Sequence, residues 1–137
     1  MIGTSWLSRL VAETLSLSIA HYELRIAVLE VLDVKKIRIT VVKKVRHDDL
    51  IARYENPIEN ACDMIEGQIF IANGWQRPEN FCLSAWETLS PFVMALSHGA
   101  ENFYSGWMKN PKSALLSCND GFRPVSFLLE TLDEDAE

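Results

Sequence analysis

The chain has 137 residues, 48% of them apolar and 23% charged, with a formal net charge of −6. That length fits one domain able to bury about two-thirds of its unfolded surface, so the core needs neither disulfides nor metals. The acidic balance argues against nucleic acid as a partner. No uninterrupted apolar run of about 18–20 residues argues for a membrane span, and three cysteines cannot all pair within one chain, so the expectation is a reduced, cytoplasmic protein.

Residues 1–33 read as an N-terminal, helical extension. Thr4 or Ser5 is placed to cap it, and Leu7, Leu10, Val11, Leu15, Ser18, Tyr22, Ile26 and Leu29 recur at helical spacing. A basic n-region is lacking, and Arg9 and Glu13 interrupt the apolar stretch, which argues against a signal peptide. β-Branched residues accumulate later, so both helix and strand fit residues 22–34. An extension this apolar must pack on its own domain or on a second copy, which makes a homodimer one expectation.

Residues 34–132 read as a single α+β domain, followed by an acidic tail, 133–137, expected to fray. Ile37-Arg-Ile-Thr-Val-Val-Lys-Lys-Val-Arg46 alternates as a strand, with Ile37, Ile39, Val41 and Val45 on one face. Asp48 is placed to cap a short helix through Tyr54, Asn56-Pro57 breaks the chain, and a brief helical turn fits the stretch to Glu66. Gln68-Ile-Phe-Ile-Ala72 is a short strand ended by Asn73-Gly74.

The clearest helix starts near Cys82. Ser84 and Glu87 have capping-box spacing, and Leu83, Trp86, Leu89, Phe92 or Val93, and Leu96 form its apolar stripe. Gly99 ends it, and Pro91 predicts a kink or a break. Residues 102–112 form a loop carrying Phe103, Tyr104 and Trp107. Ser113-Ala-Leu-Leu-Ser117 and Val125-Ser-Phe-Leu-Leu-Glu130 then read as two strands joined by an Asp120-Gly121 type I′ turn. The expected architecture is a small, mainly antiparallel sheet (36–46, 68–72, 113–118, 124–131) packed on one main helix.

The residues that could carry chemistry are few. Seven of the 13 Lys and Arg residues fall within 35–53, a strip that reads first as a solvated strand face, though such a strip can also bind phosphate or nucleic acid. Cys118, Asp120 and Arg123 share one turn. Arg123 offers a bidentate fork for a thiolate or carboxylate, while a turn Asp bonding its own backbone and an Arg paired across the hairpin would be purely structural. Trp75, Trp86, Tyr104 and Trp107 fit an apolar pocket or an ordinary core.

Several of these pieces together resemble a family of short proteins of no assigned activity, known through a numbered sequence model. The matching residues are Lys35-Lys-Ile-Arg-Ile-Thr40, Cys62, Gly67-Gln-Ile-Phe70, Phe81-Cys82 with Ala85-Trp86, Trp107-Met108, and Cys118-Asn-Asp-Gly-Phe-Arg-Pro-Val125. The resemblance covers residues 34–132 and leaves 1–33 outside. Where the family pattern has two adjacent cysteines, this chain has Ser117-Cys118, which removes any vicinal-dithiol chemistry there. All three cysteines fall on cysteine positions of that pattern. This implies convergence of Cys62, Cys82 and Cys118 on one site for a soft metal such as zinc, completed by Asp120, His21, His47 or His98, or for thiol chemistry. Free cysteine also packs as a small apolar residue, and the spacing lacks local Cys-x-x-Cys pairs.

The reading these features favour is a binding domain whose pocket, lined by Cys62, Cys82, Trp86, Trp107, Cys118 and Arg123, takes a small ligand or metal. Two alternatives belong to other classes. One is a small cofactor-independent enzyme, isomerase- or cyclase-like, using Cys118, Asp120 and Arg123. The other is an interaction module dimerising through residues 1–33.

Overall fold

A computed structural model describes residues 5–31 and 33–137, and the side chains of residues 6–25 and 33–137. The chain divides into two compact units, Met1–Asp33 and Val34–Glu137. In the first unit the described residues form one helix, α1 (Ser5–Val31). The ambiguity over residues 22–34 thus resolves to helix as far as Val31, while Thr4 and position 32 lie outside the described residues. Among the described residues no helix is long and apolar enough to cross a membrane.

The second unit is an α+β fold. Its elements are β1 (Lys35–Lys44), α2 (Asp48–Tyr54), β2 (Ile69–Ala72), α3 (Leu83–Ser97), β3 (Ser113–Ser117) and β4 (Val125–Asp135). The strands form one antiparallel sheet in the order β2-β1-β4-β3. Period-two alternation puts Ile37, Ile39 and Val41 of β1 and Val125, Phe127 and Leu129 of β4 on one buried face. Ala85, Leu89, Val93 and Leu96 of α3 are buried in the same core. Phe81, just before α3, meets Phe127 at 5.5 Å and Phe70 edge-on at 4.9 Å. Each fully buried aliphatic or aromatic side chain here contributes about 1.5–3 kcal/mol of transfer free energy.

Several local expectations are corrected. The buried stripe of α3 is rotated, so that Leu83 is exposed and Ala85 is buried. Cys82 occupies the N-cap without a side-chain bond, and Ser84 donates instead to Asn119, so no capping box forms. α3 runs on through Pro91 without a break. Pro91 and Glu87 both face solvent, so the carbonyl left without a donor can be hydrated. Gly99 ends the helix as expected: at φ +87° it closes a Schellman motif, its N–H donating to Leu96 and that of Ala100 to Ala95.

No helical turn lies between Tyr54 and Glu66. A β-bulge between Val41 and Lys43 ends the clean alternation of β1, which leaves Val45 exposed. The Asp120-Gly121 hairpin turn does not form either. Residues 118–124 make a longer connection in which Asp120 Oδ1 accepts the backbone N–H groups of Phe122 (2.7 Å) and Arg123 (3.0 Å). Gly121 therefore has no need of positive φ, because the side chain of Asp120 shapes the turn.

The acidic tail is not frayed. β4 continues to Asp135, where Lys35 bonds Asp135, and Lys36 reaches Glu137 at 3.1 Å. Ala136 N–H donates to the Val34 carbonyl at 2.7 Å, and Glu137 N–H donates to Asn73 Oδ1 at 2.8 Å. Beside this closure Gly74 has φ +62°, and a Cβ there would sit 2.9 Å from Val34 Cγ1.

Candidate ligand-binding cleft

The far end of β1 builds the candidate site. Beyond the bulge Lys44 still pairs with Val125, and Val45 and Arg46 run on past the sheet but stay tethered. Val45 N–H donates to Pro124 O at 3.0 Å, and His47 N–H to Phe122 O at 2.9 Å. The segment after α2 is held on the other side, where Gly67 N–H donates to Val41 O and Lys44 N–H to Glu66 Oε1. Between these straps lies a cleft of about 360 Å³. One wall is Ile58, Asn60, Ala61 and Cys62, and the other is Lys44, Val45, Arg46 and Arg123. Asn60 turns its wall through a left-handed residue at φ 54°, a conformation asparagine tolerates.

Arg123 is fixed by a partner the sequence did not disclose. α2 ends at Tyr54 and delivers Glu55, whose two oxygens accept from Arg123 Nη1 and Nη2 at 2.6 Å each. Both side chains are largely buried, at 14% and 10% exposure. Hydrogen bonding to Arg123, and then its charge, holds the Glu55 carboxyl below its ordinary value against the opposing effect of burial. Arg123 is correspondingly raised, first by those hydrogen bonds and then by the charges of Glu55, Asp120 and Cys62. The fork uses two of five guanidinium N–H donors, and the others stay available to the cleft that Arg123 lines.

The other two cations are more loosely held. Lys44 Nζ bonds only the neutral Met64 carbonyl, and Arg46 Nε meets Asp48 at 2.5 Å in a solvent-exposed pair. Among the described residues no acidic side chain lines the cleft. Its polar side chains are therefore dominated by N–H donors, with Asn60 and, more weakly, the Cys62 sulfur able to accept.

The expected site residues are distributed rather than gathered. Cys62 and Arg123 share the cleft. Cys82 is the N-cap of α3, and Cys118 packs against the core with its sulfur accepting Val125 N–H at 3.3 Å. Asp120 is committed to two backbone N–H groups and Arg123 to Glu55, so Cys118, Asp120 and Arg123 do not form one reacting set. All three cysteines are free thiols. Among the described residues no group of three or more His, Cys, Asp or Glu side chains is arranged to hold a metal ion, so the sulfur-rich metal site is not assembled.

The tryptophans separate as well. Trp86 is half-buried and edge-on to Phe81 at 6.0 Å, whereas Trp107 lies in an apolar groove beside β3. Ile58, Asn60 and Glu55 were not legible as site residues. The only signal was their place just after a short helix and a proline break. No family model, no curated protein and no solved structure matches this chain.

Proposed function

We propose that the protein is a non-catalytic binding domain whose cleft takes a small acceptor-rich anion, a carboxylate or a phosphate. The observation that carries this reading is the convergence of Lys44, Arg46 and Arg123 on one cavity without a lining acid. Arg supplies fixed donors that match planar and tetrahedral oxyanions, and Lys supplies a mobile point charge. Ile58, Ala61 and Val45 offer apolar contact to the rest of such a ligand. The enzyme reading built on Cys118, Asp120 and Arg123 has less support, since the Cys118 sulfur accepts Val125 N–H, Asp120 Oδ1 holds two backbone N–H groups and Glu55 holds Arg123. Calorimetric titration with inorganic phosphate and with succinate tests the proposal. Saturable binding to one of them, weakened about tenfold or more by Lys44→Ala with Arg46→Ala, is the expected result. Absence of heat for both anions, or binding indifferent to the two substitutions, refutes it.

A second reading, self-association through α1, is favoured by that helix's own residues. Leu10, Leu17 and Leu24 recur every seven residues, and Leu7, Val11 and Tyr22 widen the apolar surface. Arg9 and Arg25 offset two of the three acids Glu13, Glu23 and Glu30, so this helix carries only −1 of the chain's −6 and its copies meet with little repulsion. A helix of 27 residues is about 40 Å long, ample for a paired seam. Sedimentation equilibrium should find a dimer that Leu10→Glu with Leu17→Glu converts to monomer. A monomeric parent chain overturns this reading.

A further inference from the structure

β3 is an edge strand that pairs, among the described residues, with β4 alone. Two bonds fix its orientation: Cys118 N–H to Val125 O at 2.9 Å, and Thr131 N–H to Lys112 O at 3.0 Å. An antiparallel strand alternates its bonding direction, so Ala114 and Leu116 turn their backbone groups to β4, while Leu115 and Ser117 turn theirs away from it. Ser113 shares that outward direction but is buried, its hydroxyl donating to Asn110 O at 2.7 Å. The open length of edge is therefore Leu115 to Ser117.

A closed loop stands beside this edge. Asn102 N–H donates to Pro111 O at 2.9 Å across its neck, and Tyr104, Ser105 and Gly106 are consecutive left-handed residues at φ 52°, 58° and 85°. The turn they make presents Tyr104 and Trp107, which are 64% and 71% exposed and stack edge-on at 5.0 Å. Phe103, Tyr104, Trp107, Met108, Leu115 and Leu116 line a groove of about 100 Å³, room for one side chain. Exposed tryptophan and tyrosine around a small apolar groove are the residue types that carry most binding energy at protein interfaces. Lys109 and Lys112 flank the groove in sequence, both exposed and neither in an ion pair among the described residues. The groove shares no lining residue with the anion cleft.

We propose that this edge accepts an extended acidic peptide from a partner protein, which adds as an antiparallel strand to β3. One large apolar side chain of the peptide sits in the aromatic groove, and its carboxylates meet Lys109 and Lys112. The backbone bonds supply affinity without regard to sequence, and the groove with its two lysines supplies the selection. A strand edge left open in this way invites pairing, and β3 carries neither proline nor charge to prevent it.

The test uses the full chain and two fluorescein-labelled peptides, one reading Glu-Val-Leu-Val-Glu and the other with lysine in place of glutamate. Fluorescence anisotropy should show saturable binding of the acidic peptide and at least tenfold weaker binding of the basic one. Bound peptide should slow amide exchange at Leu115 and Ser117 but not at Ala114 or Leu116. Trp107→Ala should weaken binding at least tenfold. Leu115→Pro removes an outward donor that β4 does not use, so it should abolish binding with the circular dichroism spectrum unchanged. Equal binding of both peptides, binding unaffected by Trp107→Ala, or no binding of either overturns the proposal. So does concentration-dependent self-association that Leu115→Pro abolishes, which would assign the edge to a second copy.

Discussion

Glu55 and Arg123 are 68 positions apart, yet each is the other's principal partner. The pairing fixes the Arg123 guanidinium and ties α2 to the start of β4. It also sets a pH dependence. The Glu55 carboxyl is held below its ordinary value of about 4.5, so between the two values the unfolded chain binds more protons than the folded one. The pair's contribution is therefore complete above about pH 4.5 and is lost as pH falls through the folded-state value. Glu55→Gln should lower Tm by several degrees at pH 7, and the gap to the parent protein should narrow as pH falls below about 4.5. Paired thermal melts across that range provide the check, and a gap independent of pH would contradict the assignment. Sequence alone could offer Arg123 a partner only from its own hairpin, because a contact over 68 residues leaves no local trace. Asp120 was legible because the N–H donors it accepts from lie two and three residues away.

At the scale of elements, periodicity located all four strands and the main helix, since each buries one face and shows it as alternation or as a stripe. What periodicity could not show was how neighbouring segments outbid local preference. Ser84 abandons the capping box because Asn119 is within reach, and Asp120 displaces the glycine turn by bonding forward. Tertiary pairing with β1 draws the acidic tail into β4, although like charges in solution would keep it apart. Pro91 is the clearest residual conflict. It sits inside α3 on the exposed side, where it removes one backbone bond. Pro91→Ala should therefore stabilise the protein, by up to about 3 kcal/mol, as judged by denaturant midpoint. A destabilising outcome would mean that Pro91 contributes to the shallow cleft it lines with Trp75 and Met94.

On the scale of the whole molecule, the two central strands are the first and last of the second unit. β1 and β4 pair along almost their full length, from Lys44 against Val125 to Lys35 against Asp135. The edge strands β2 and β3 each lean on one of these two. That arrangement puts the candidate cleft at one end of the central pair and the interlocked tail at the other. The cleft is thus supported by contacts that exist only once the entire sheet has formed.

The bond from Ala136 to the Val34 carbonyl places the two ends of this unit side by side, with the full intervening chain as the loop they close. β1 can pair with β2 early in synthesis, but its longer partner, β4, is the last strand to arrive. The loop-closure entropy of its longest-range pairing must be met before most of its contacts return anything. Rewiring would change that balance without touching a side chain in the core. A permuted chain that joins residue 137 to residue 34 by a short linker, and opens between Tyr104 and Lys109, turns β4 and β1 into neighbours in sequence. It should reach the same sheet and refold measurably faster in stopped-flow dilution from denaturant. The slow partner in this fold is its order of connection rather than its chemistry.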